Sequence, residues 1–375
     1  MVIKRRHIAV FFLLFSLLIS VTYLFFFRPL VEQSYHDNAP EWFSTLVDEL
    51  YPRFAVEKQR FDLAFFQYKA DQVIIRLSFI MFLSGIGLWY LNPARFINRH
   101  TIELPSDFYR RLRLFFYAGL LLYTWNWYED FSRIVKMEEF YKGIHLFRFF
   151  GVGIPEIEIF YGLFAVYLIS LFLVLIKNRP VLFASFTALG LVIFQGYLYS
   201  FEKIEHGYTT LTYACMLMPF LFYELKVQNE NEKQKSFVLF LIQLSIAGAY
   251  FLSGAEKLLT SGFQWADAET FRTYLLLHPQ EVGLWVAEQP FLLHILPWMV
   301  LFFQLSFIVV PFYPRFRHLF LLSGIAFHWG TTWLMGIGAY LSPWIFVYVF
   351  FLDLQKFKIR FLSSASSTNI SQNGA

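Results

Sequence analysis

The chain has 375 residues, of which 57% are hydrophobic, 22% aromatic and only 15% charged. A soluble domain of this length could not bury so much apolar surface, so the composition predicts an integral membrane protein in the lipid bilayer. The net charge of +4 is small and spread among loops, which excludes the basic stripe of a nucleic-acid-binding protein. A single cysteine, Cys215, excludes an intramolecular disulfide framework.

The N-terminal segment has the pattern of a retained membrane span. Three basic residues at 4–6 precede about 20 apolar residues at 8–27. This run ends at Arg28-Pro29 without the small-residue cleavage site of a signal peptide. We therefore predict a first span that stays in the protein.

A net-acidic segment from about 28 to 72 follows the first span. Five large apolar residues in it are spaced approximately as on one face of a helix. They are Trp42, Phe43, Leu46, Leu50 and Phe54. The spacing predicts an amphipathic helix that lies on the extracytoplasmic membrane surface.

Further charge-poor runs of nearly span length follow along the chain. They lie near residues 74–93, 112–128, 159–176, 180–201, 207–223, 237–255 and 291–313. The stretch 319–352 carries no Asp, Glu, Lys or Arg and fits a tight hairpin that turns near Gly336-Ile337-Gly338. We predict an all-α fold, a polytopic membrane helix bundle of about ten transmembrane helices.

Lysine and arginine are concentrated in alternate loops, as the positive-inside rule requires. These basic loops lie at 95–113, 177–179, 226–235 and 315–317, and at the C-terminal end at 356–360. The pattern predicts that both termini are cytoplasmic. It also places His206 and Lys257 on the same, extracytoplasmic side of a cell membrane.

Three polar clusters interrupt the hydrophobic pattern. The first is Glu205-His206-Gly207-Tyr208, at the outer start of a span, where a lone histidine is most often a solvated or capping residue. The second is Lys257, beside Glu256 at the end of the apolar run 237–255. The third surrounds His328, which lies within a span, where an ionisable residue suggests function.

Lys257 has two alternative roles at a membrane boundary. It can extend to water as a charged anchor, or it can be buried, lose its proton and act as a base. Position alone slightly favours the anchor. No pair of His, Cys or Glu has the spacing of a metal site on one helix, so we predict no metal.

In this order, the clusters resemble motifs of the vitamin K-dependent gamma-glutamyl carboxylases and of the wider family of horizontally transferred transmembrane (HTTM) domains. Residues 205–208 are similar to an Asn-His-x-Tyr motif. Residues 250–258, followed by Trp265, are similar to Tyr-Phe-x-x-Gly-x-x-Lys-Leu and its tryptophan. Residues 327–340 resemble the pattern Phe-His…Leu-x-x-Ile-Gly-x-aromatic.

The resemblance covers about residues 141–353, a carboxylase-like membrane domain. N-terminal spans in 1–140 would precede it, and a polar tail at 354–375, expected to be disordered in the cytoplasm, would follow it. We expect no counterpart, within this sequence, of the large lumenal domain with which the carboxylases hold their protein substrate. The resemblance therefore supports quinol chemistry in this chain more than it supports carboxylation of a protein substrate.

The resemblance implies a cofactor, a reaction and site residues. Neutral Lys257 would deprotonate a reduced vitamin K-type quinol, and dioxygen would convert the anion to a strongly basic alkoxide. The alkoxide would remove a hydrogen beside a substrate carboxylate before carbon dioxide adds. His206 would be the second catalytic residue and stabilise the developing anion. His328, Trp265 and Tyr208 would bind the lipidic quinol, which would enter from the bilayer.

The sequence departs from the carboxylase pattern at several positions. Glu256 stands where the animal enzyme has a second lysine, Thr331 replaces an asparagine, and Ala268 replaces a glycine. The sequence therefore leaves open whether this chain is an enzyme. The alternatives are a non-enzymatic transporter or a lipid- or ligand-binding protein on the same scaffold, and an enzyme that needs a partner chain to supply its substrate.

Overall fold

A computed structural model describes residues 2–51, 54–105, 108–143, 145–177, 180–201, 206–226, 228 and 234–353. Glu205 of the first polar cluster and the predicted tail at 354–375 lie outside these residues. The described chain is almost entirely helical, which confirms the predicted all-α class. It forms two compact units, Met1–Arg99 and His100–Ala375. The predicted boundary at residue 140 rests on the family resemblance and stays a prediction.

The first unit is built on two long helices. Its helices are α1 (Val2–Thr22), α2 (Arg28–Tyr35), α3 (Glu41–Leu50), α4 (Phe54–Glu57) and α5 (Leu63–Tyr90), and a π-helical turn (Tyr23–Phe27) joins α1 to α2. Helix α1 packs along α5, where the Ser20 hydroxyl donates to Ser78 Oγ at 2.9 Å. The Tyr23 hydroxyl donates to the Asp71 carboxylate at 2.7 Å, and Arg28 Nε donates to the same oxygen at 3.1 Å. These bonds satisfy polar groups between two apolar helices.

Helix α3 is the amphipathic segment predicted from the sequence. Phe43 is buried and its ring lies 6.3 Å from that of Phe27, so this residue attaches α3 to the unit. Trp42, Leu46 and Leu50 are exposed at four-residue intervals. They form an apolar stripe on one side of the helix. Phe54, the last of the five predicted residues, is buried in α4, and the position of the segment on a membrane surface stays a prediction.

The second unit contains the larger helix bundle. Its strands are β1 (Ile102–Leu104) and β2 (Gln234–Ser236). Its helices, after the connecting α6 (Pro93–His100), are α7 (Phe108–Ile134), α8 (His145–Phe149), α9 (Ile157–Ile176), α10 (Val181–Tyr199), α11 (Thr209–Lys226), α12 (Val238–Ser261), α13 (Ala268–Leu277), α14 (Glu281–Ala287), α15 (Pro290–Ser306), α16 (Arg317–Met335) and α17 (Pro343–Phe346). Six 3₁₀ segments are Val135–Phe140, His206–Tyr208, Gly262–Ala266, Phe307–Val309, Pro314–Phe316 and Val347–Phe351.

The bundle core lies among α7, α9, α10, α11 and α12. Consecutive helices of this set pack side by side, α9 on α10, α10 on α11 and α11 on α12. Their facing surfaces bury large side chains that include Phe116, Phe160, Phe194 and Phe222. Cys215 is buried in the same core, so its thiol is a packing group.

The small sheet and a glutamate fix the start of α12. Strands β1 and β2 pair antiparallel, with Ile102 opposite Ser236 and Leu104 opposite Gln234. The Glu224 carboxylate accepts hydrogen bonds from the backbone N–H groups of Phe237 at 2.9 Å and Val238 at 3.2 Å. A helix N-terminus has unpaired N–H groups and a positive dipole end, so this carboxylate stabilises the first turn of α12.

Six segments of the described chain are long and apolar enough to cross a membrane. They are Arg6–Tyr35, Leu63–Tyr90, Ile157–Ile176, Val181–Tyr199, Val238–Ala266 and Pro290–Val309. Each corresponds to one predicted span. Such runs fold as helices because a helix satisfies its own backbone hydrogen bonds, which lipid cannot do.

The other four predicted spans do not reach the same combination of length and hydropathy. Two of them fall in α7 and α11, which are helical. The predicted hairpin at 319–352 turns as expected, because α16 ends at Gly336 in the left-handed conformation, at φ 63°. Its second limb contains the short α17 and the 3₁₀ segment Val347–Phe351. The count of ten and the orientation of the termini stay predictions.

Candidate functional site

One face of α12 carries the residues on which the candidate site is built. Tyr250, Gly254 and Lys257 follow at spacings of four and three residues, which place them on the same side of a helix. Helix α12 ends at Gly262, whose φ of 58° suits a residue without Cβ. The 3₁₀ segment that begins at Gly262 then brings Trp265 back toward Lys257.

Lys257 is half-buried near the C-terminal end of α12. Its ammonium nitrogen donates to the Ser253 hydroxyl at 3.0 Å and lies 3.2 Å from the Ser253 carbonyl oxygen. It also lies 5.1 Å from the centre of the Trp265 ring. No carboxylate pairs with this amine among the described residues, and the neighbouring Glu256 is exposed. The direct hydrogen-bond and ring partners of the amine are therefore uncharged, while the adjacent Glu256 carboxylate adds a negative charge nearby.

His328 belongs to a buried polar cluster one level deeper in the bundle. Its Nε2 atom lies 2.7 Å from the Tyr250 hydroxyl, which in turn lies 2.7 Å from the Tyr348 hydroxyl. The Trp344 ring covers both partners, with its centre 4.8 Å from that of Tyr250 and 6.0 Å from that of His328. The Nδ1 atom of His328 has no hydrogen-bond partner within the described chain, so it is available to a ligand.

The position of Tyr348 depends on two close contacts between helices. Gln243 on α12 donates to the Phe350 carbonyl oxygen at 2.8 Å and so ties the 3₁₀ segment Val347–Phe351 to the bundle. Gly324 on α16 lies against the Tyr348 hydroxyl, where a Cβ atom would overlap the oxygen. Glycine at this position lets Tyr348 reach Tyr250.

The described part of the first polar cluster packs against the bundle core. Tyr208 is half-buried, and its ring centre is 6.5 Å from that of Tyr123 on α7. The 3₁₀ turn His206–Tyr208 packs against α17, which carries Trp344. The side chain of His206 lies outside the described side chains. The backbone thus places this turn next to the helix that covers His328.

The structure pairs the predicted site residues in two groups. Lys257 contacts Trp265, and His328 contacts Tyr250, but no hydrogen bond or ring contact joins Lys257 to His328 among the described side chains. The two groups are linked through the shared face of α12. No group of three His, Cys, Asp or Glu side chains in the described parts of the chain is placed to hold a metal ion.

Sequence reasoning did not identify Gln304 on α15. Its side chain is 3% exposed, and its amide oxygen is buried without a hydrogen-bond partner in the described structure. Gln304 faces Gly254, since a Cβ on that glycine would come within 3.0 Å of Gln304 Cβ. The sequence did offer one signal, since Gln304 is a lone amide inside the apolar run 291–313. An unpaired polar group in such a run costs free energy, so its presence suggests a role.

The site offers a base, aromatic surfaces and an unused acceptor. An amine in its neutral form accepts a proton, indole and phenol rings pack against a flat ring, and an amide oxygen accepts a hydrogen bond. No family model, curated protein or solved structure matches the chain.

Proposed function

We propose that the protein is a multi-pass membrane protein that binds a lipidic quinol beside α12 and uses Lys257 as a base. The bound quinol would supply, once deprotonated, the electrons that reduce dioxygen. The proposal extends to quinol epoxidation, with coupled carboxylation as a further possibility, on the extracytoplasmic side of a cell membrane. The resemblance to the carboxylase membrane domain motivates this choice of cofactor.

The environment of Lys257 is the observation that carries the proposal. A surface anchor would extend to water, whereas this amine bends back to Ser253 and lies over Trp265. Half-burial removes part of the water around the amine, as a base in a closed site requires. The Trp265 ring face and the nearby Glu256 carboxylate stabilise the ammonium form, so the proposal rests on the position of the amine and not on its protonation state.

The remaining site residues have binding roles in the proposal. Trp265 holds the ring of the ligand close to the amine, and Tyr208 adds a second aromatic surface from the 3₁₀ turn before α11. His328, fixed through Nε2 by Tyr250, presents Nδ1 to the ligand. His206 stabilises negative charge that develops during proton removal.

The test is turnover of a reduced vitamin K-type quinol by the full chain in lipid nanodiscs, with oxygen and bicarbonate. Epoxide formation is scored separately from carboxylation of an added glutamyl peptide. Lys257→Met keeps approximately the size of the side chain without the amine, and loss of general-base catalysis should lower the rate about 10²- to 10⁴-fold. The matched control is Lys235→Met, which removes an exposed lysine from β2.

Each result of this test bears on the base assignment. A normal rate in Lys257→Met, with the thermal unfolding of both variants unchanged, would remove Lys257 from the mechanism. Epoxide without carboxylation would restrict the function to quinol oxidation. Turnover only after addition of native membrane extract would identify a partner-dependent enzyme, which a fully active protein purified alone would contradict.

A groove between α10 and α11 favours a second candidate function, non-enzymatic lipid or ligand binding. The groove has a volume of about 590 Å³. It is lined by Val181, Ser185, Ala188, Leu189, Val192, Met216, Pro219, Phe220 and Tyr223. None of these residues belongs to the Lys257 or His328 groups. A lipidic ligand could therefore occupy the protein without reaching the proposed base.

Transport across proteoliposomes separates the two functions. The binding or transport function predicts flux or retention of a labelled isoprenoid lipid, with no oxidation of a supplied quinol. Ala188→Trp would fill the groove and lower that binding, while Lys257→Met would leave it unchanged. Quinol turnover that depends on Lys257 and is insensitive to Ala188→Trp would reject this second candidate.

A further inference from the structure

Helices α13 and α14 form the connection 267–289 between two segments that are long and apolar enough to cross a membrane. The segment before the connection is Val238–Ala266, and the segment after it is Pro290–Val309. A connection between two consecutive spans begins and ends at the same face of the bilayer. This one is short, so both of its helices stay close to the lipid surface.

One face of the connection is packed on the spans and fixes its position. An apolar cluster joins α13 and α14 to α15 through the buried residues Ala268, Phe271, Leu275, Val286, Ala287 and Leu293. Gly283 of α14 lies against the end of α16, where a Cβ atom would overlap the carbonyl oxygen of Leu334. The height of α13 and α14 therefore follows that of α15 and α16.

A ring contact shows how far the chain before α13 descends beside α15. The Phe263 ring stacks on the Trp298 ring, with the two centres 5.8 Å apart. Trp298 is the ninth residue of the segment Pro290–Val309, which has 20 residues. A helix of that length just covers the hydrocarbon thickness, so Trp298 lies about 12 Å below the start of the segment.

Lys257 lies deeper than Phe263 on the same scale. Gly254 of α12 packs against Leu305 of α15, since an added Cβ would lie 3.1 Å from Leu305 Cγ. Lys257 comes between Gly254 and Phe263 in the chain, so its backbone lies at a level between Leu305 and Trp298. A full crossing of the bilayer by α15 therefore places Lys257 within the bilayer.

The exposed face of the connection is apolar. Tyr274 and Leu277 are three residues apart on α13, as Val282 and Trp285 are on α14, and all four side chains are exposed. Leu277 is 67% exposed and Trp285 is 57% exposed. Exposed apolar residues continue into the next span, beginning with Phe291. Aromatic and aliphatic residues in this position are typical of a membrane–water boundary.

Charged residues limit how deep the connection can lie. Those of the connection are all exposed, and they are Asp267, Glu269, Arg272, Glu281 and Glu288. On α13, Glu269 lies 3.9 Å from Arg272, and helical periodicity places this pair on a different side from Tyr274 and Leu277. Charges are costly among acyl chains but reach the headgroups from a helix at the boundary. The two sides of α13 thus suit a helix that lies at the interface.

We infer that α13 and α14 form an interfacial hairpin, with Tyr274, Leu277, Val282 and Trp285 against the acyl chains of one leaflet and Lys257 below the membrane surface. The partner of this apolar face is the lipid itself. A lipidic ligand would then reach the level of the amine from within the bilayer, without passing through water. The lipid contact does not depend on quinol chemistry.

The experiment measures the depth of single labelled positions in the full chain in liposomes. Leu277→Cys and Trp285→Cys are compared with Glu269→Cys, the matched control on the charged side of α13, all in a Cys215→Ala background. Each cysteine carries an environment-sensitive fluorophore. It is quenched either by a lipid with a nitroxide near the top of its acyl chain or by iodide in the water. We expect the nitroxide to quench positions 277 and 285 about threefold or more than position 269, and iodide to show the reverse order.

A fourth position tests the depth of Lys257. Phe263→Cys, beside Trp298, should be quenched best by a nitroxide at the middle of the acyl chain and should be inaccessible to iodide. Ser261→Cys, also exposed, takes its place if that variant is unstable. Because all the substituted side chains are exposed, the unfolding temperature in detergent should change little, and this is measured first.

Three results would contradict the interfacial hairpin. Equal quenching by iodide at positions 269, 277 and 285 would place the connection in water. Protection of positions 277 and 285 from both quenchers would show that a protein covers this face, and cross-linking between two copies through position 277 would identify that protein as a second copy of the chain. Quenching of position 263 by iodide would bring Lys257 to the membrane surface.

The depth measurements and the proposed function can fail separately. If the labelled positions lie in lipid while no quinol is oxidised, the hairpin stands and the proposed catalysis fails. If turnover requires Lys257 while iodide reaches positions 263, 277 and 285, the base assignment stands and the amine is approached from the water.

Discussion

The hydroxyl oxygen of Tyr250 lies 2.7 Å from Nε2 of His328, although 78 residues separate the two in the sequence. The same hydroxyl lies 2.7 Å from that of Tyr348, so one buried group on α12 joins α16 to the C-terminal 3₁₀ segment. A low-dielectric interior strengthens such bonds and makes unpaired groups expensive. Tyr250 therefore holds the inner part of the candidate site in one arrangement.

Tyr250→Phe should destabilise the protein because it removes only the hydroxyl and leaves His328 and Tyr348 without their shared partner. We expect a loss of about 1–3 kcal/mol in the free energy of unfolding, measured by thermal unfolding in detergent. Tyr213→Phe is the control, since that tyrosine on α11 is 48% exposed. Equal stability of the two variants would show that the buried bonds contribute nothing.

Gly324→Ala should disrupt the same cluster from α16. The new Cβ would overlap the Tyr348 hydroxyl, which must move and weaken its bond to Tyr250. Overpacking of this kind costs about 1–3 kcal/mol. Gly330→Ala on the same helix meets no atom within 4 Å and should be neutral or slightly stabilising, because alanine favours helix. If both alanine variants change the unfolding temperature equally, Gly324 does not lie as close to the Tyr348 hydroxyl in solution as it does in the structure.

Glu224→Ala should loosen the first turn of α12. Two backbone N–H groups would lose their acceptor, at a cost of about 0.5–2 kcal/mol typical of a lost helix cap. Hydrogen exchange should become faster at Phe237 and Val238 and stay unchanged in the middle of the helix. Glu103→Ala removes an exposed carboxylate paired with Lys235 and should change stability by less than about 1 kcal/mol. If hydrogen exchange at Phe237 and Val238 is unchanged in Glu224→Ala, another group caps the first turn of α12.

Helix α3 should lie on the membrane surface with its stripe of Trp42, Leu46 and Leu50 in lipid. We expect a cysteine at Leu46 to be protected from a membrane-impermeant thiol reagent, whereas a cysteine at the exposed neighbour Thr45 reacts. A Cys215→Ala background removes the native thiol, which is already buried. Labelling of intact cells at position 45 also tests the predicted extracytoplasmic side. Equal labelling of both positions would contradict the surface orientation.

The sequence predicted those features that depend on neighbouring residues. Apolar runs located the six long segments, and the glycine at 336 located the end of α16. These signals are local because helical hydrogen bonds join residues four apart. The roles of Lys257, His206, His328, Trp265 and Tyr208 stay predictions that the proposed experiments test.

The partners of Tyr250 and Gln304 could not be predicted from the same signals. Both residues lie inside apolar runs, where the pattern indicates a span and says nothing about which helix each side chain faces. The sequence alone thus determined the helical class, because a chain so apolar must satisfy its backbone hydrogen bonds within each segment. The tertiary structure decided that His328 meets Tyr250 and that the Gln304 oxygen has no hydrogen-bond partner within the described residues. Those outcomes depend on how closely α12, α15 and α16 approach, which small residues such as Gly254 and Gly324 permit.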